Sequence, residues 1–385
     1  MQSGVYLTLL YFYAKKTIRI PVCTGGTASG TGERMKRVYS GIGGQAVIEG
    51  IMMKNKEDYA VAVRKPDGDI AVDIHAYKGI VSTNKILTLP IIRGAFNFID
   101  SMVLGLRTLS YSAEFYEDEE EAEQSKFEQW LEKKFGEKTE QVVMGAAMVL
   151  AFAAAICIFM LLPMFISNLL KLVIDNYYVI AIFEGILRIA IFIGYIRLIS
   201  RMEDIRRTFM YHGAEHKCIN CLELGKPLTV ENVMASSKEH KRCGTSFILI
   251  VMIISILFFM VIRVDHLAMR ALSRIIFIPL VAGISYEFLR IAGRSESCIV
   301  NILSRPGMWM QGLTTMEPTA DMAEVAIKAT ESVFDWKAFL KENFGLTDEE
   351  LMTEEEMKAA GAELTEAETA GAELSEEKTA DSSAE

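Results

Sequence analysis

Hydrophobic residues are concentrated in long runs between residues 142 and 292 of this chain, and the flanking segments are heavily charged. A helix needs about 20 predominantly apolar residues to cross a bilayer. Four segments approach that length, and the last of them is the weakest: residues 142–173, 178–196, 246–262 and 275–289. The pattern predicts an α-helical integral membrane protein with about four transmembrane helices.

Polar residues interrupt some of these segments and change their interpretation. Glu184 and Arg188 lie one helical turn apart in the second segment, so the two side chains can pair there. The fourth segment contains Pro279, Gly283 and Glu287. Residues 87–111 form a further apolar stretch with three charged interruptions, Arg93, Asp100 and Arg107. That stretch is typical of a helix that lies on the membrane, re-enters it or packs against other helices.

Short β-branched or alternating runs precede the apolar part of the chain, at residues 46–53, 59–64 and 70–74. A Pro-Asp-Gly sequence at residues 66–68 is a strong turn signal between the second run and the third. The sequence therefore predicts a small N-terminal β-rich segment with about three strands.

Composition divides the chain into six predicted regions. They are an N-terminal extension (1–34), a small β-rich domain (35–86), an amphipathic helix with an acidic linker (87–141), a membrane domain (142–292), a C-terminal segment (293–345) and an acidic tail (346–385). The tail repeats nearly the same seven residues and has little apolar surface to bury, so it is predicted to be disordered.

Basic residues between the apolar segments predict the orientation in the membrane. Nine arginines and lysines lie between residues 197 and 242, whereas the connection between the first two segments offers only Lys171. The positive-inside rule therefore places the 200–245 loop in the cytoplasm together with both termini. Three arginines on the opposite side weaken this contrast without reversing it: Arg263, Arg270 and Arg274.

The formal net charge of −10 belongs to the C-terminal tail, since residues 349–385 hold thirteen carboxylates and two lysines. The remaining basic residues are spread around the apolar segments, which argues against a nucleic-acid-binding surface. The six cysteines do not form a dense disulfide framework. Three of them, Cys218, Cys221 and Cys243, lie near histidines in the sequence and indicate reduced thiols or a metal site.

The strongest chemical motif is His-Gly-Ala-Glu-His at residues 212–216. On a helix, His212 and His216 share a face, so both imidazoles could bind one cation. Glu215 could then act as general base toward a water molecule that the metal polarises. This is the H-x-x-E-H order of the inverted zincins. The alternative is an interfacial helix whose histidines bind phosphate, lipid or each other.

Two sets of further ligands are compatible with the motif. His240 or Cys243 could complete a zinc site with the two motif histidines and leave one position open for catalysis. In the competing arrangement, Cys218-x-x-Cys221 and His240-x-x-Cys243 form a structural Cys3His site. Glu287 is another candidate, because inverted zincins take a distant glutamate as third ligand. Its alternative role is an ion pair with Arg290 or Arg294.

Two other motifs carry less weight. Residues 41–46 satisfy a G-x-G-x-x-A dinucleotide pattern, but no hydrophobic strand precedes them and no helix follows. We interpret these glycines as positions of tight backbone packing. Cys243 could also act as a thiol nucleophile with His240, although no oxyanion-hole group is identifiable.

Several segments resemble the YqhQ-like bacterial membrane proteins, an uncharacterised family often labelled as metal-dependent enzymes. They are residues 43–53 (GGQAVIEGIMM), 211–217 (YHGAEHK), 240–247 (HKRCGTSF), 283–287 (GISYE) and 313–315 with Glu317-Pro318. The resemblance covers about residues 35–329. The resemblance favours six residues as members of the functional site and adds Glu49 to them. The six are His212, Glu215, His216, His240, Cys243 and Glu287. Gly312 and Met316 stand where arginines are expected, so a contact of those arginines with an anionic group is in doubt here.

These observations give two hypotheses. The first is a zinc-dependent enzyme, hydrolytic in mechanism, on the cytoplasmic face of the bacterial inner membrane, where it would use Zn²⁺ or another divalent transition metal. The second is a non-catalytic membrane scaffold in which a structural zinc loop docks a cytoplasmic protein partner. A transporter is a weaker interpretation, because Glu184 and Arg188 are the only charged residues near the middle of an apolar segment. The bilayer is the expected partner in each case, and a homo-oligomer is compatible with all of them.

Overall fold

The structure is a computed structural model that describes residues 37–83, 85–116, 139–240, 243–264, 266–292 and 297–352. The described chain packs into two compact units. Unit 1 contains residues 78–209 and 239–316. Unit 2 contains residues 37–77, 210–238 and 317–352. The N-terminal extension (1–34), most of the acidic linker and residues 353–385 of the tail lie outside the described residues.

The described chain is mostly helical. Its α-helices are α1 (Ile92–Ala113), α2 (Thr139–Ile156), α3 (Leu162–Leu169), α4 (Tyr177–Ile199), α5 (Glu203–Glu223), α6 (Val230–Met234), α7 (Gly244–Val261), α8 (Leu267–Ile276), α9 (Ile278–Ala292), α10 (Cys298–Thr314), α11 (Ala320–Glu331) and α12 (Trp336–Phe344). The predicted 200–245 loop thus contains a long helix, α5, and a short one, α6.

Three helices in the described part of the chain are long and apolar enough to cross a membrane: Gly145–Leu172, Tyr177–Ile199 and Gly244–Val261. The pair α8 and α9, bent by 46°, could form a fourth span. Pro279 explains the break, because it lacks an amide hydrogen and therefore fits best in the first turn of a helix. The structure thus agrees with the prediction of four candidate transmembrane segments, of which the last is the weakest.

Helix α1 packs against α9 in unit 1. Gly94 and Gly283 lie where the two backbones approach, since a Cβ on Gly94 would fall 2.8 Å from the Gly283 carbonyl oxygen. Beside this contact, Arg93 donates to both carboxylate oxygens of Glu287, at 2.6 and 2.5 Å. Packing against another helix was one of the three arrangements that the sequence allowed for this stretch.

Unit 2 contains an antiparallel sheet of four strands in sequence order: β1 (Gly43–Val47), β2 (Gly50–Asn55), β3 (Asp58–Arg64) and β4 (Ile70–Ala76). The prediction of about three strands was one strand short. The run at 46–53 is a hairpin rather than one strand, because the chain turns at Glu49, whose φ is +47°. A left-handed conformation is uncommon for glutamate, so the local sequence does not indicate this turn.

The core of unit 2 lies between the sheet and the helices α5, α6, α11 and α12. Strands β2 and β3 pack against α11, and the second half of α5 contributes further buried side chains. Large buried members of this core are Ile51, Met53, Tyr211, Ile219, Leu222, Met322 and Leu340. The sheet, the middle segment and the C-terminal helices therefore share one hydrophobic core although they are far apart in sequence.

We expect Gly94→Ala to destabilise the full-length protein in detergent by about 1–3 kcal/mol, the usual cost of overpacking. The added methyl group would meet the backbone of Gly283, which cannot move without displacing α9. Thermal unfolding measures the effect. Gly194→Ala in α4 is the matched control, because a Cβ there meets no atom within 4 Å. Equal midpoints for the two variants would contradict the close α1–α9 packing.

Candidate metal centre

The second half of α5 is a polar helical segment that is nevertheless buried. The first turn of α5, at the opposite end, carries Glu203 and Asp204, and these acidic side chains favour a helix N-terminus through the helix dipole. Tyr211 and every residue from 213 to 223 are buried, including five polar side chains: Glu215, His216, Lys217, Asn220 and Glu223. Buried polar groups are costly unless they are hydrogen-bonded, so each of these side chains needs a partner.

Glu215 lies against the glycine-rich strand β1. Its carboxylate is 5% exposed and accepts a hydrogen bond from the backbone N–H of Gly44. Burial raises the pKa of Glu215, and His212 and the Gly44 N–H oppose that shift. A Cβ on Gly44 would come within 2.8 Å of the Glu215 side chain. The predicted tight packing therefore holds for Gly44, whereas a Cβ on Gly43 would meet no atom within 4 Å.

The imidazoles of His212 and His216 face each other on α5. Their ring centroids are 4.4 Å apart, and their ligand nitrogens lie within 4.8 Å of one another. Nε2 of His212 is 3.9 Å from a carboxylate oxygen of Glu215. The sequence spacing of four residues thus produces the shared face that the motif predicted.

The protonation pattern of the His216 ring follows from its partner. Nδ1 lies 2.7 Å from the carbonyl oxygen of Lys238, and a carbonyl can only accept a hydrogen bond. Nδ1 must therefore carry the proton, which leaves Nε2 as the lone-pair nitrogen of the neutral ring. A backbone carbonyl that fixes the tautomer of a histidine in this way is typical of metal-binding histidines.

Lys217 is held by the segment that follows α6. Its ammonium group donates to the carbonyls of Met234 and Ser236, at 2.7 and 2.9 Å, and pairs with Glu317 at 2.6 Å. Lys217 lowers the pKa of Glu317 through this hydrogen bond, with Lys238 adding a smaller effect. No local pattern in the sequence indicates this pair, because the two residues are 100 positions apart.

The far end of α5 is held by the segment that precedes β1. Arg37 pairs with Glu223 at 3.1 Å and also donates to Asn220. Ser40 donates to the Glu223 carboxylate through both its amide and its hydroxyl group. Asn220 in turn donates to the Ser237 carbonyl at 2.6 Å. These contacts hold the far end of the helix in place.

Glu49, which the family resemblance added, lies at the β1–β2 turn of unit 2. Its carboxylate accepts a hydrogen bond from the Tyr211 hydroxyl at 3.3 Å. Tyr211 directly precedes His212 and is fully buried. Glu49 therefore contacts the start of the motif through Tyr211, which is consistent with a positioning role.

Cys218 and Cys221 lie in the core of unit 2. The Cys218 thiol contacts the Thr330 hydroxyl at 3.2 Å and donates to the Ala326 carbonyl, and the Cys221 thiol donates to carbonyls of the 226–227 turn. Burial raises the pKa of Cys218 and that of Cys221, the latter to about 12. Such surroundings are typical of inert structural cysteines, and they give no support to the Cys3His alternative.

His240 and Cys243 belong to unit 1, where a glutamine holds the backbone of His240. The His240 N–H donates to the Gln311 side-chain oxygen at 2.9 Å, and the Gln311 amide donates to the His240 carbonyl at 2.7 Å. Gln311 also donates to Ser246 at 2.8 Å. Cys243 is a buried thiol at the residue before α7. The intervening Lys241 and Arg242 lie outside the described residues.

Glu287 in unit 1 is engaged in an ion pair. Its main partner is Arg93, through the bidentate contact described above, and Arg290 lies 3.8 Å away. An ion pair was the predicted alternative to a ligand role for Glu287, but with Arg290 or Arg294 as the partner. Arg93 was not predicted because it is 194 positions away in the sequence. The bidentate contact supports the ion-pair interpretation of Glu287.

The fold and the motif together describe a mostly helical protein with several apolar helices long enough to span a membrane and a histidine pair on a buried helix. The chain matches the family described as "Protein of unknown function (DUF1385)" over residues 89–336. It is also 35% identical over 313 residues to "Uncharacterized protein YqhQ" of Bacillus subtilis (strain 168), which covers 80% of this chain and 96% of that protein. No solved structure matches the chain. The chain therefore belongs to the YqhQ-like DUF1385 family, and the resemblance drawn from its motifs is confirmed.

We expect Gly44→Ala to destabilise the protein by about 1–3 kcal/mol, because the new methyl group would overlap the Glu215 side chain and the backbone of β2. Gly43→Ala is the matched control on the same strand, since a Cβ at that position meets no atom within 4 Å. Thermal unfolding of the two full-length variants makes the comparison. A Gly44→Ala protein as stable as Gly43→Ala would contradict the close contact of β1 with Glu215.

Proposed function

We propose that this protein is a membrane-bound metal-dependent enzyme of the hydrolase class. His212, His216 and Cys243 would hold a zinc ion, and Glu215 would act as general base. One observation carries the proposal: two imidazoles face each other on a buried helix, 4.4 Å apart, with a buried carboxylate beside them.

The donor chemistry fits zinc. Neutral imidazole and thiolate are its preferred ligands, and three protein ligands leave one coordination position for water or substrate. His216 already has its Nδ1 proton directed to the Lys238 carbonyl, so its remaining nitrogen is the one suited to a metal. Cys243 is included because of the sequence motif, in which this buried thiol lies three residues after His240. Bound zinc would supply Lewis acidity and favour deprotonation of water.

Glu215 is suited to receive that proton. Its carboxylate lies near His212 and is fixed by the Gly44 amide, so it cannot rotate freely away from the histidine face. A general base has to be held within reach of the proton it accepts. The backbone contact to β1 provides that positioning, and it gives the glycine-rich strand a role in the site.

The membrane context comes from the three to four apolar helices and the charge distribution. We propose that the chain lies in the bacterial inner membrane with the α5 segment on the cytoplasmic side, following the positive-inside rule. Substrates in reach of such a site are lipid headgroups, membrane-proximal peptides and small cytoplasmic molecules. The shared reaction would be attack of water on an ester, phosphoester or amide group.

Metal analysis of the purified full-length protein tests the proposal. We expect about one zinc per chain in the wild type, and less than about a tenth of that in His216→Ala and Cys243→Ser. A site with three protein ligands loses most of its affinity for zinc when one of them is removed. His75→Ala and Cys218→Ser are the matched controls, since His75 is exposed on β4 and Cys218 lies in the core of unit 2. Both controls should retain the metal.

The outcomes separate the competing hypotheses. A wild-type protein that neither contains nor takes up a divalent metal would overturn the metal site. Loss of zinc in Cys218→Ser would favour the Cys3His scaffold. Glu215→Gln distinguishes the enzyme from a scaffold: it should retain zinc and lose hydrolysis of any ester, phosphodiester or peptide that wild-type membranes cleave. Hydrolysis that is unchanged in Glu215→Gln would remove Glu215 from the mechanism.

A further inference from the structure

A second cluster of charged side chains lies in unit 1, among the apolar helices. Three arginines converge on the carboxylate of Glu184. Arg188 approaches one oxygen at 3.1 Å, Arg270 approaches the other at 2.6 Å, and Arg274 donates to both. All four side chains are buried, with exposures between 3% and 7%. The sequence predicted the Glu184–Arg188 pair but not the two arginines that join it.

Four segments contribute side chains to this cluster. Glu184 and Arg188 lie in the first half of α4, and Arg270 and Arg274 lie one turn apart on α8. Ser167, near the end of the first apolar span, donates to Glu184 at 3.2 Å. Arg188 donates to Ser255, near the end of α7, at 2.8 Å. The cluster is therefore formed where three membrane-span candidates come together.

The charges of this cluster do not balance. A guanidinium group remains protonated under all conditions in which the protein is folded. Three positive charges therefore face one carboxylate, and within the described part of the chain no second acidic side chain pairs with them. The Nε–H groups of Arg188 and Arg274 also have no hydrogen-bond partner. Arg274 lies over the ring of Phe259 at 5.3 Å, a contact that stabilises the cation without neutralising it.

Buried charges in an apolar environment are stable only when they are paired and hydrogen-bonded. An excess of guanidinium groups among apolar helices therefore calls for a negatively charged partner from outside the chain. The planar fork of arginine matches oxyanions, and phosphate above all, with two parallel hydrogen bonds. Functional ion sites within membrane-spanning regions characteristically contain ionisable residues of this kind.

We infer that Arg188, Arg270 and Arg274 form a binding site for a phosphate-type oxyanion, with Glu184 fixing the arginines in place. The anion could be the headgroup of an anionic phospholipid or a free phosphate group, since both present the same chemistry to a guanidinium. The site shares no residue with the proposed metal centre and does not depend on it.

Thermal unfolding of the full-length protein in a non-ionic detergent tests the inference. We expect the unfolding midpoint to rise saturably with inorganic phosphate at constant ionic strength, with short-chain phosphatidylglycerol, or with both. Short-chain phosphatidylcholine, which has no net charge, and chloride should have much smaller effects. Arg270→Gln should weaken the apparent affinity by about tenfold or more, the effect expected from losing one charge-assisted contact.

Arg197→Gln is the matched control, because Arg197 lies on the same helix as Arg188 but is exposed near its other end. It should respond to the anions as the wild type does. A response to phosphatidylglycerol alone identifies a lipid headgroup, and a response to inorganic phosphate as well identifies a site open to free anions. If Arg270→Gln does not fold, Arg270→Lys keeps the charge but loses the fork, and it should show the same weakened response.

Two results would overturn the inference. One is a wild-type protein whose midpoint is unaffected by phosphate and by phosphatidylglycerol at equal ionic strength. The other is an unfolding midpoint that rises equally with the anion in Arg270→Gln and in Arg197→Gln. If Arg270→Gln does not fold, Arg270→Lys takes its place in this comparison. Either result would mean that the three arginines and Glu184 form a self-contained ion network that binds no external anion.

Discussion

Unit 2 depends on one constraint, which is the burial of a polar helix. The second half of α5 has polar or charged side chains on several faces, and almost none of its surface is exposed. Each polar group therefore has to be satisfied by protein atoms. Glu215 is satisfied by Gly44, Lys217 by the 234–236 backbone and Glu317, and Glu223 by Arg37 and Ser40. These partners come from three distant parts of the sequence.

This constraint explains why unit 2 is discontinuous in sequence. The sheet supplies the Gly44 amide, the segment after α6 supplies carbonyl groups, and the residues before α11 supply Glu317. Removing any one of them would take a hydrogen-bond partner from a buried polar group, and a buried group left unsatisfied costs more than the hydrogen bond itself contributes. The same contacts hold the histidines in place. A site built on a rigid, fully bonded helix is well suited to chemistry that requires fixed distances.

The sequence predicted the features that depend on local periodicity. Long apolar runs indicated the span candidates, and the four-residue spacing of His212 and His216 indicated their shared face. It did not predict features that depend on long-range pairing or on unusual backbone conformations. Glu287 is paired with Arg93, and Glu184 is joined by Arg270 and Arg274, and nothing in the local pattern encodes either contact. The β1–β2 hairpin was missed because Glu49 adopts a left-handed conformation.

X-ray absorption at the zinc edge of the purified full-length protein is the most direct test of the proposal that the buried helix carries a metal centre. The proposed ligands predict two nitrogen ligands of imidazole type at about 2.0–2.1 Å and one sulfur at about 2.3 Å, with a light atom in the open position. A first shell dominated by three sulfur atoms would contradict the histidine pair and point to a structural Cys3His site. A protein that binds no zinc would contradict the metal centre altogether.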